Sequence, residues 1–115
     1  MSGYPTVRLL DAQGLPLPFR YGHHGDLVVS ARPPRTVHVG AGKSAFFLLN
    51  KYRCDARATA DARMLRVKLP GVRGWLSLRL PHYPMLDYCP VRGPSTSIAV
   101  SPLVAGLQRA VARLP

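Results

Sequence analysis

TVHVGAGKSAFFLLNKYRC, residues 36–54, is the stretch whose pattern decides the fold predicted for this chain. Val37 and Val39 alternate with polar neighbours, and residues 40–43 (GAGK) have the composition of a tight turn. Residues 45–49 (AFFLL) then form an unbroken apolar run with aromatic side chains that favour strands. The stretch therefore predicts a β-hairpin whose second strand is buried on both faces.

Further strand patterns on both sides of this hairpin predict an all-β protein. Turn-like segments separate short apolar runs, of which the clearest are residues 3–10, 64–69, 75–80 and 97–100. Leucine and valine alternate with Arg66 and Lys68 in one of them, and Arg8 is expected to point away from the core in another. About six such strands predict an antiparallel β-sandwich as a single domain over residues 1–101.

The last residues change period and predict a helix. Ser101 is a suitable N-cap and Pro102 suits the first helical position. Apolar side chains then recur at helical spacing at Leu103, Leu107, Val111 and Leu114. We expect a short C-terminal α-helix over residues 102–115.

The charge is strongly one-sided. The 115 residues carry a net charge of +11, from sixteen Lys and Arg against five Asp and no Glu, and thirteen of the sixteen are Arg. Such a balance favours polyanionic partners, namely nucleic acid, anionic envelope polymers or lipid headgroups. The alternative is that Arg-rich, Ala-rich usage reflects a GC-rich genome and that the charge serves solubility.

Basic residues beside aromatic residues are the candidates for polyanion binding. Tyr52 lies between two of them, and Trp75 follows another after one glycine. This interleaving suits stacking on bases or sugars, and it equally suits aromatic side chains that close the ends of a sandwich. The candidate residues are Lys51, Arg53, Arg66, Lys68, Arg73 and Arg79.

No motif in the sequence predicts an enzyme or a cofactor. Residues 42–44 (GKS) match the end of a phosphate-binding loop, but Val37 stands where that motif needs its first glycine. The five carboxylates include no close pair, and the G-x-S-x-G nucleophile motif is absent. The adjacent His23 and His24 precede Asp26, a grouping that is more typical of a solvated loop than of a metal site.

Several segments, in order, resemble a bacterial family named domain of unknown function 4232. Gly3-Tyr4-Pro5 and the following VRLLDAQGLPL resemble its opening, and residues 37–45 (VHVGAGKSA) resemble a strand and turn that precede a cysteine, here Cys54. Residues 65–70 and 75–80 are similar to its strand, Pro-Gly and strand element. Cys89 and residues 96–102 match its final cysteine and last strand.

The resemblance implies an immunoglobulin-like sandwich in a secreted protein or lipoprotein of high-GC Gram-positive bacteria, with no assigned activity. In that compartment a disulfide between Cys54 and Cys89 is expected, although a zinc site or a catalytic thiol with His82 are the other uses of cysteine. Family members continue upstream of the Gly3 segment, so we expect the domain to lack one or two N-terminal strands.

The sequence thus predicts a non-enzymatic binding or structural domain of the cell envelope or exterior. The chain contains no signal segment or transmembrane run, so a start at Met1 would place it in the cytoplasm. The alternative function is an intracellular, Arg-rich nucleic-acid-binding protein with both cysteines reduced.

Overall fold

The computed structural model describes residues 1–51, 60–81, 86–88 and 97–112, and it confirms an all-β protein. Within these residues, eight short strands form three sheets. The strands are β1 (Thr6–Leu10), β2 (Arg20–Gly22), β3 (Leu49–Asn50), β4 (Ala60–Ala62), β5 (Met64–Lys68), β6 (Leu76–Arg79), β7 (Leu86–Tyr88) and β8 (Ser97–Val100).

The first sheet has the order β1-β5-β6 and is antiparallel throughout. Val7 lies opposite Val67, and Leu9 lies opposite Leu65. A turn at residues 70–74 joins β5 to β6, as the alternating patterns and the Pro-Gly pair predict. The leucines of β6 were expected to be buried, but Leu76 and Leu78 are each 58% exposed because β6 lies at the sheet edge.

The second sheet is mixed, with the order β2-β8-β3. Its central strand β8 pairs antiparallel with β3 and parallel with β2. The predicted antiparallel arrangement is therefore wrong for one pair of strands. More than seventy residues separate β2 from β8, and a connection of that length leaves the direction of pairing free, whereas a hairpin would fix it.

The two strands β4 and β7 form a small antiparallel pair that the sequence did not predict. Their sequences, ADA and LDY, are short and carry a central aspartate, so they lack the apolar alternation that marks a strand. The pairing places Ala60 opposite Tyr88.

One hydrophobic core connects residues of three sheets. Its fully buried members come from β1, β4 and β8, and half-buried side chains such as Phe47 and Leu65 pack around them. The buried cluster consists of Val7, Leu9, Ala62, Ile98 and Val100. Ile98 and Val100 are at most 1% exposed, so β8 supplies the most completely buried apolar side chains of the second sheet.

The predicted hairpin over residues 36–54 is wrong. Its turn is present, since the Lys43 amide donates to the Gly40 carbonyl at 3.0 Å and Gly42 has a φ of 76°. The flanking segments, however, do not pair with each other. Val37 exchanges hydrogen bonds with Met1 (2.7 and 3.0 Å), and Phe46 exchanges them with Val104 at 2.8 Å. Partners distant in sequence have taken the backbone groups that a hairpin would use.

The apolar run at residues 45–49 is also less buried than predicted. Phe46 is 40% exposed, and its four neighbours in the run are half-buried. Only Leu49 and Asn50 form a strand, at the edge of the second sheet.

The predicted C-terminal α-helix over residues 102–115 is not confirmed. The described part of this tail, up to Ala112, contains a three-residue 3-10 helix at Leu107–Arg109. Val104 and Val111 instead form β-bridges with Phe46 and Val29. These extended pairings compete with helical hydrogen bonds for the same backbone groups.

Within the described residues, no helix is long and apolar enough to span a membrane.

Ser101, predicted as a helix cap, is a buried link between β8 and residue 48. Its side chain is inaccessible to solvent, and its hydroxyl accepts the Leu48 amide at 2.8 Å and donates to the Pro102 carbonyl at 2.9 Å. The Ser101 amide donates to the Leu48 carbonyl at 2.9 Å. Without the hydroxyl, the Leu48 amide would lose its partner.

We expect Ser101→Ala to lower the free energy of unfolding by about 1–3 kcal/mol, the usual cost of an unpaired buried donor. Denaturant unfolding at equilibrium measures the change. Ser97→Ala, at the exposed start of the same strand, is the matched control and is expected to change the value by less than about 0.5 kcal/mol. Equal, small effects of both substitutions would contradict the assigned role of Ser101.

Candidate polyanion-binding face

The side of the first sheet that faces away from the core is basic. Successive residues of a strand point to opposite faces, so burial of Val7 and Leu9 turns Arg8 outward. The register places side chains of the neighbouring strands on the same side. We call this surface the basic face. It consists of Thr6, Arg8, Arg66, Lys68, Trp75, Ser77 and Arg79, and the apolar pair of Leu10 and Met64 on the same side borders it.

Two arginines lie directly opposite each other at the centre of the basic face. Arg8 of β1 pairs with Arg66 of β5, and Ser77 of β6 lies opposite Arg66 on the other side. Like charges in directly opposite positions destabilise an antiparallel pair. None of the seven residues of this face is acidic, so no carboxylate within it neutralises the two arginines.

The Trp75 ring contacts both arginines. The guanidinium carbon of Arg8 lies 4.9 Å from the ring centroid, and that of Arg66 lies 5.1 Å from it. Each cation–π contact is worth roughly 0.5–1 kcal/mol at an exposed site, which offsets part of the repulsion. Trp75 is half-buried, as expected for an indole covered by side chains on the sheet surface.

The remaining cations extend the basic face towards both ends of β5. Lys68 lies opposite Thr6, and Arg79 lies opposite Met64; both cations are exposed. At the Arg79 end the surface continues into an open hollow of about 630 Å³. The hollow is lined by Asp11, Ala12, Arg63, Met64, Arg79, Leu80 and Pro81.

Asp11, which lines this hollow, and Asp61, next to its Arg63, both contact other groups of the protein. Asp11 accepts the Gln13 and Leu15 amides through Oδ1, both at 2.9 Å, and thereby shapes the predicted turn after β1. Asp61 lies 3.9 Å from the Arg63 guanidinium group. The basic face itself holds four cations and no carboxylate, so it carries an excess of positive charge.

The structure brings together three of the six predicted polyanion-binding residues. Arg66, Lys68 and Arg79 share the basic face, and Arg73 is exposed in the adjoining turn, two residues before Trp75. Lys51 follows β3 and so belongs to the second sheet, whereas the other three residues lie on the first.

Three predicted residues lie outside the described part of the chain, and one residue of the face was not predicted. Arg53 lies outside the described residues, as do both members of the predicted Cys54–Cys89 disulfide. Arg8 was predicted to point outward but was not among the predicted polyanion-binding residues. Its place beside Arg66 depends on the pairing of β1 with β5, which alternation within one strand does not reveal.

In the loop with His23, His24 and Asp26, both His23 and Asp26 contact other groups of the protein. His23 stacks on Tyr4, with ring centroids 3.8 Å apart and planes 5° apart, and Tyr4 donates its hydroxyl to the His23 carbonyl at 3.2 Å. Burial, and then the neighbouring His24, lower the pKa of His23 below its ordinary value. The lowered pKa favours the neutral form of this imidazole.

Asp26 ties this loop to the second sheet. Its Oδ1 accepts the Val28 and Val29 amides at 2.8 and 2.7 Å, and its Oδ2 accepts Nδ2 of Asn50 at 2.8 Å. Burial alone raises the pKa of the Asp26 carboxyl. The hydrogen bonds to the carboxylate outweigh that effect, so its pKa lies below the ordinary 3.8.

We expect Asp26 to titrate below pH 3.8 in the folded protein. Because folding depresses this pKa, the carboxylate contributes stability above the unfolded value, and that contribution is lost as the pH falls through the folded value. Carboxyl-carbon NMR titration measures the midpoint. Asn50→Ala should raise it, whereas the distant, exposed Gln13→Ala should leave it unchanged. A midpoint at or above 3.8 would contradict this role.

No family model, curated protein or solved structure matches the chain.

Proposed function

We propose that this protein is a non-enzymatic binding domain of the cell envelope or exterior, and that its basic face binds linear anionic polymers. The finer fold in this proposal is an immunoglobulin-like β-sandwich, and the chain would be a member of the domain-of-unknown-function-4232 family that it resembles. The all-β architecture and the shared core of the two larger sheets support this fold.

The opposed pair of Arg8 and Arg66 is the observation that carries the proposal. A pair with only a structural role would gain stability if one member were acidic or neutral. Here both are cationic, and Lys68 and Arg79 add further charge on the same side. A bound anion would relieve the repulsion within this group, so the ligand and the folded state should stabilise each other.

The arrangement favours contacts with charge over stacking of bases. Arg8 and Arg66 both contact the Trp75 ring, so part of the surface on which a base would stack is already used. An envelope polymer needs no base recognition, whereas single-stranded nucleic acid would benefit from a free aromatic ring. Nucleic-acid binding remains the alternative function, supported by the overall charge of +11.

The small β4–β7 pair supports the extracytoplasmic part of the proposal. Ala60 lies opposite Tyr88, Cys89 directly follows Tyr88, and Cys54 precedes Ala60 by six residues. The pairing thus places Tyr88, the residue before Cys89, beside Ala60. A disulfide between them would suit an oxidising compartment, and it would close a loop worth about 3–4 kcal/mol in a chain-entropy account.

Removal of charge from the basic face should weaken polyanion binding. We expect Arg8→Gln with Arg66→Gln to lower the affinity for a linear polyphosphate about tenfold or more at low salt. The slope of log affinity against log salt should fall in magnitude from about 3 to about 1.5, since two of four contacted cations are lost. Titration calorimetry over a salt series measures both quantities.

A matched control removes the same charge from other exposed positions. Arg35→Gln with Lys43→Gln should lower the affinity about twofold at most, because neither residue lies on the basic face. Equal losses in the two double variants would contradict a dedicated face. Duplex DNA is the second ligand: affinity for DNA well above that for polyphosphate of matched charge would favour the nucleic-acid alternative.

A further inference from the structure

The central pair of arginines has a geometry that goes beyond a diffuse positive surface. We propose that Arg8 and Arg66 together form a binding site for one tetrahedral oxyanion, a phosphate or sulfate group of the polymer, and that Trp75 is the positioning residue for both guanidinium groups. The inference rests on the proposed function and names the chemical class of its ligand.

Strand pairing brings the two guanidinium groups within reach of one ligand group. Arg8 and Arg66 are directly opposite in adjacent strands, where β-carbons are roughly 5 Å apart, and both point away from the core. Their guanidinium carbons lie 4.9 and 5.1 Å from the same ring centroid, so they are at most 10 Å apart. Within this upper limit, two guanidinium groups on the same side of the ring can both donate to one phosphate group.

Trp75 positions the guanidinium groups of Arg8 and Arg66 while their N–H groups stay available as hydrogen-bond donors. A guanidinium group that contacts an aromatic ring through cation–π attraction retains its N–H groups for hydrogen bonding. Holding both side chains near one indole also reduces the conformational entropy that they would lose on binding. Ser77, exposed and opposite Arg66, adds a hydroxyl donor in the same row across the sheet.

Two forks discriminate between classes of anion. One guanidinium fork satisfies both oxygens of a carboxylate, which lie in one plane. The oxygens of a phosphate or sulfate group point in different directions, so they can accept from two arginines at once. Polymers that carry phosphate or sulfate groups should therefore bind more tightly than polycarboxylates of equal charge.

The test compares linear polyphosphate and heparin with polyglutamate, at matched chain charge and equal ionic strength, by titration calorimetry. Trp75 is the only tryptophan of the chain, so its fluorescence is a second readout located at the site. We expect polyphosphate and heparin to bind wild-type protein about tenfold or more tightly than polyglutamate, with a change in Trp75 emission.

Lysine substitutions distinguish the effect of the guanidinium shape from the effect of its positive charge. Arg8→Lys with Arg66→Lys keeps every charge and should lower the affinity for polyphosphate about tenfold, to the level of the affinity for polyglutamate. The affinity of this double variant for polyglutamate should differ from that of the wild-type protein by about twofold at most. Arg35→Lys, an exposed position off the basic face, should change neither affinity by more than about twofold.

The outcomes are distinguishable without relying on any one variant. Equal affinity of the wild-type protein for polyphosphate and polyglutamate would overturn the oxyanion site but leave the polyanion-binding face standing. A lysine double variant that keeps the wild-type preference would also overturn it. No binding of any of the three polymers at low salt would reject the proposed function itself. If heparin alone binds tightly, sulfate is the group recognised.

Discussion

The packing of β1 against β8 is the constraint on which the rest of the molecule depends. Val7 and Leu9 share one buried cluster with Ile98 and Val100, so this contact joins the first sheet to the second. Burying such side chains is worth about 1.5–3 kcal/mol each, before cavity effects are counted. Because β1 buries alternate residues, the same contact forces Arg8 to the outside.

The basic face is thus a direct consequence of the core, but its composition is not. Packing requires only that residues 8 and 66 point outward, and neutral or oppositely charged side chains would satisfy that requirement at lower electrostatic cost. The chain has an arginine at both positions, and Trp75 contacts both guanidinium groups. Functional surfaces are where proteins retain local arrangements that lower stability and that the packing of the core does not require.

Alternating or clustered apolar residues predicted four of the eight strands in the described part of the chain, whereas β2, β4 and β7 lie in segments that were expected to be loops or connections. β1, β5, β6 and β8 lie where leucine, isoleucine and valine alternate or cluster between turn-forming residues. Long-range pairing explains the failures. Val37 pairs with Met1 instead of with the far side of its own turn, and Ser101 bonds to Leu48 instead of capping a helix. Neither partner could be deduced from local pattern, because both are distant in sequence.

In the candidate site, too, local sequence pattern predicted some residues, and long-range strand pairing decided the others. Arg66, Lys68 and Arg79 could be proposed from their place in alternating strands beside Trp75. Arg8 could not be joined to them, since only the β1–β5 register places it opposite Arg66. The cation–π contacts depend on that register as well, so the strongest feature of the site is a product of tertiary structure.

The most direct test of the central claim is to map the polyanion-binding surface by two-dimensional ¹H–¹⁵N NMR during titration with linear polyphosphate. The account predicts the largest shift changes at the amides of residues 6–8, 65–68 and 75–79 and at the arginine Nε groups of Arg8 and Arg66. Changes of equal size at Arg20, Arg35, Lys43 and Arg109, which lie off the basic face, would contradict it.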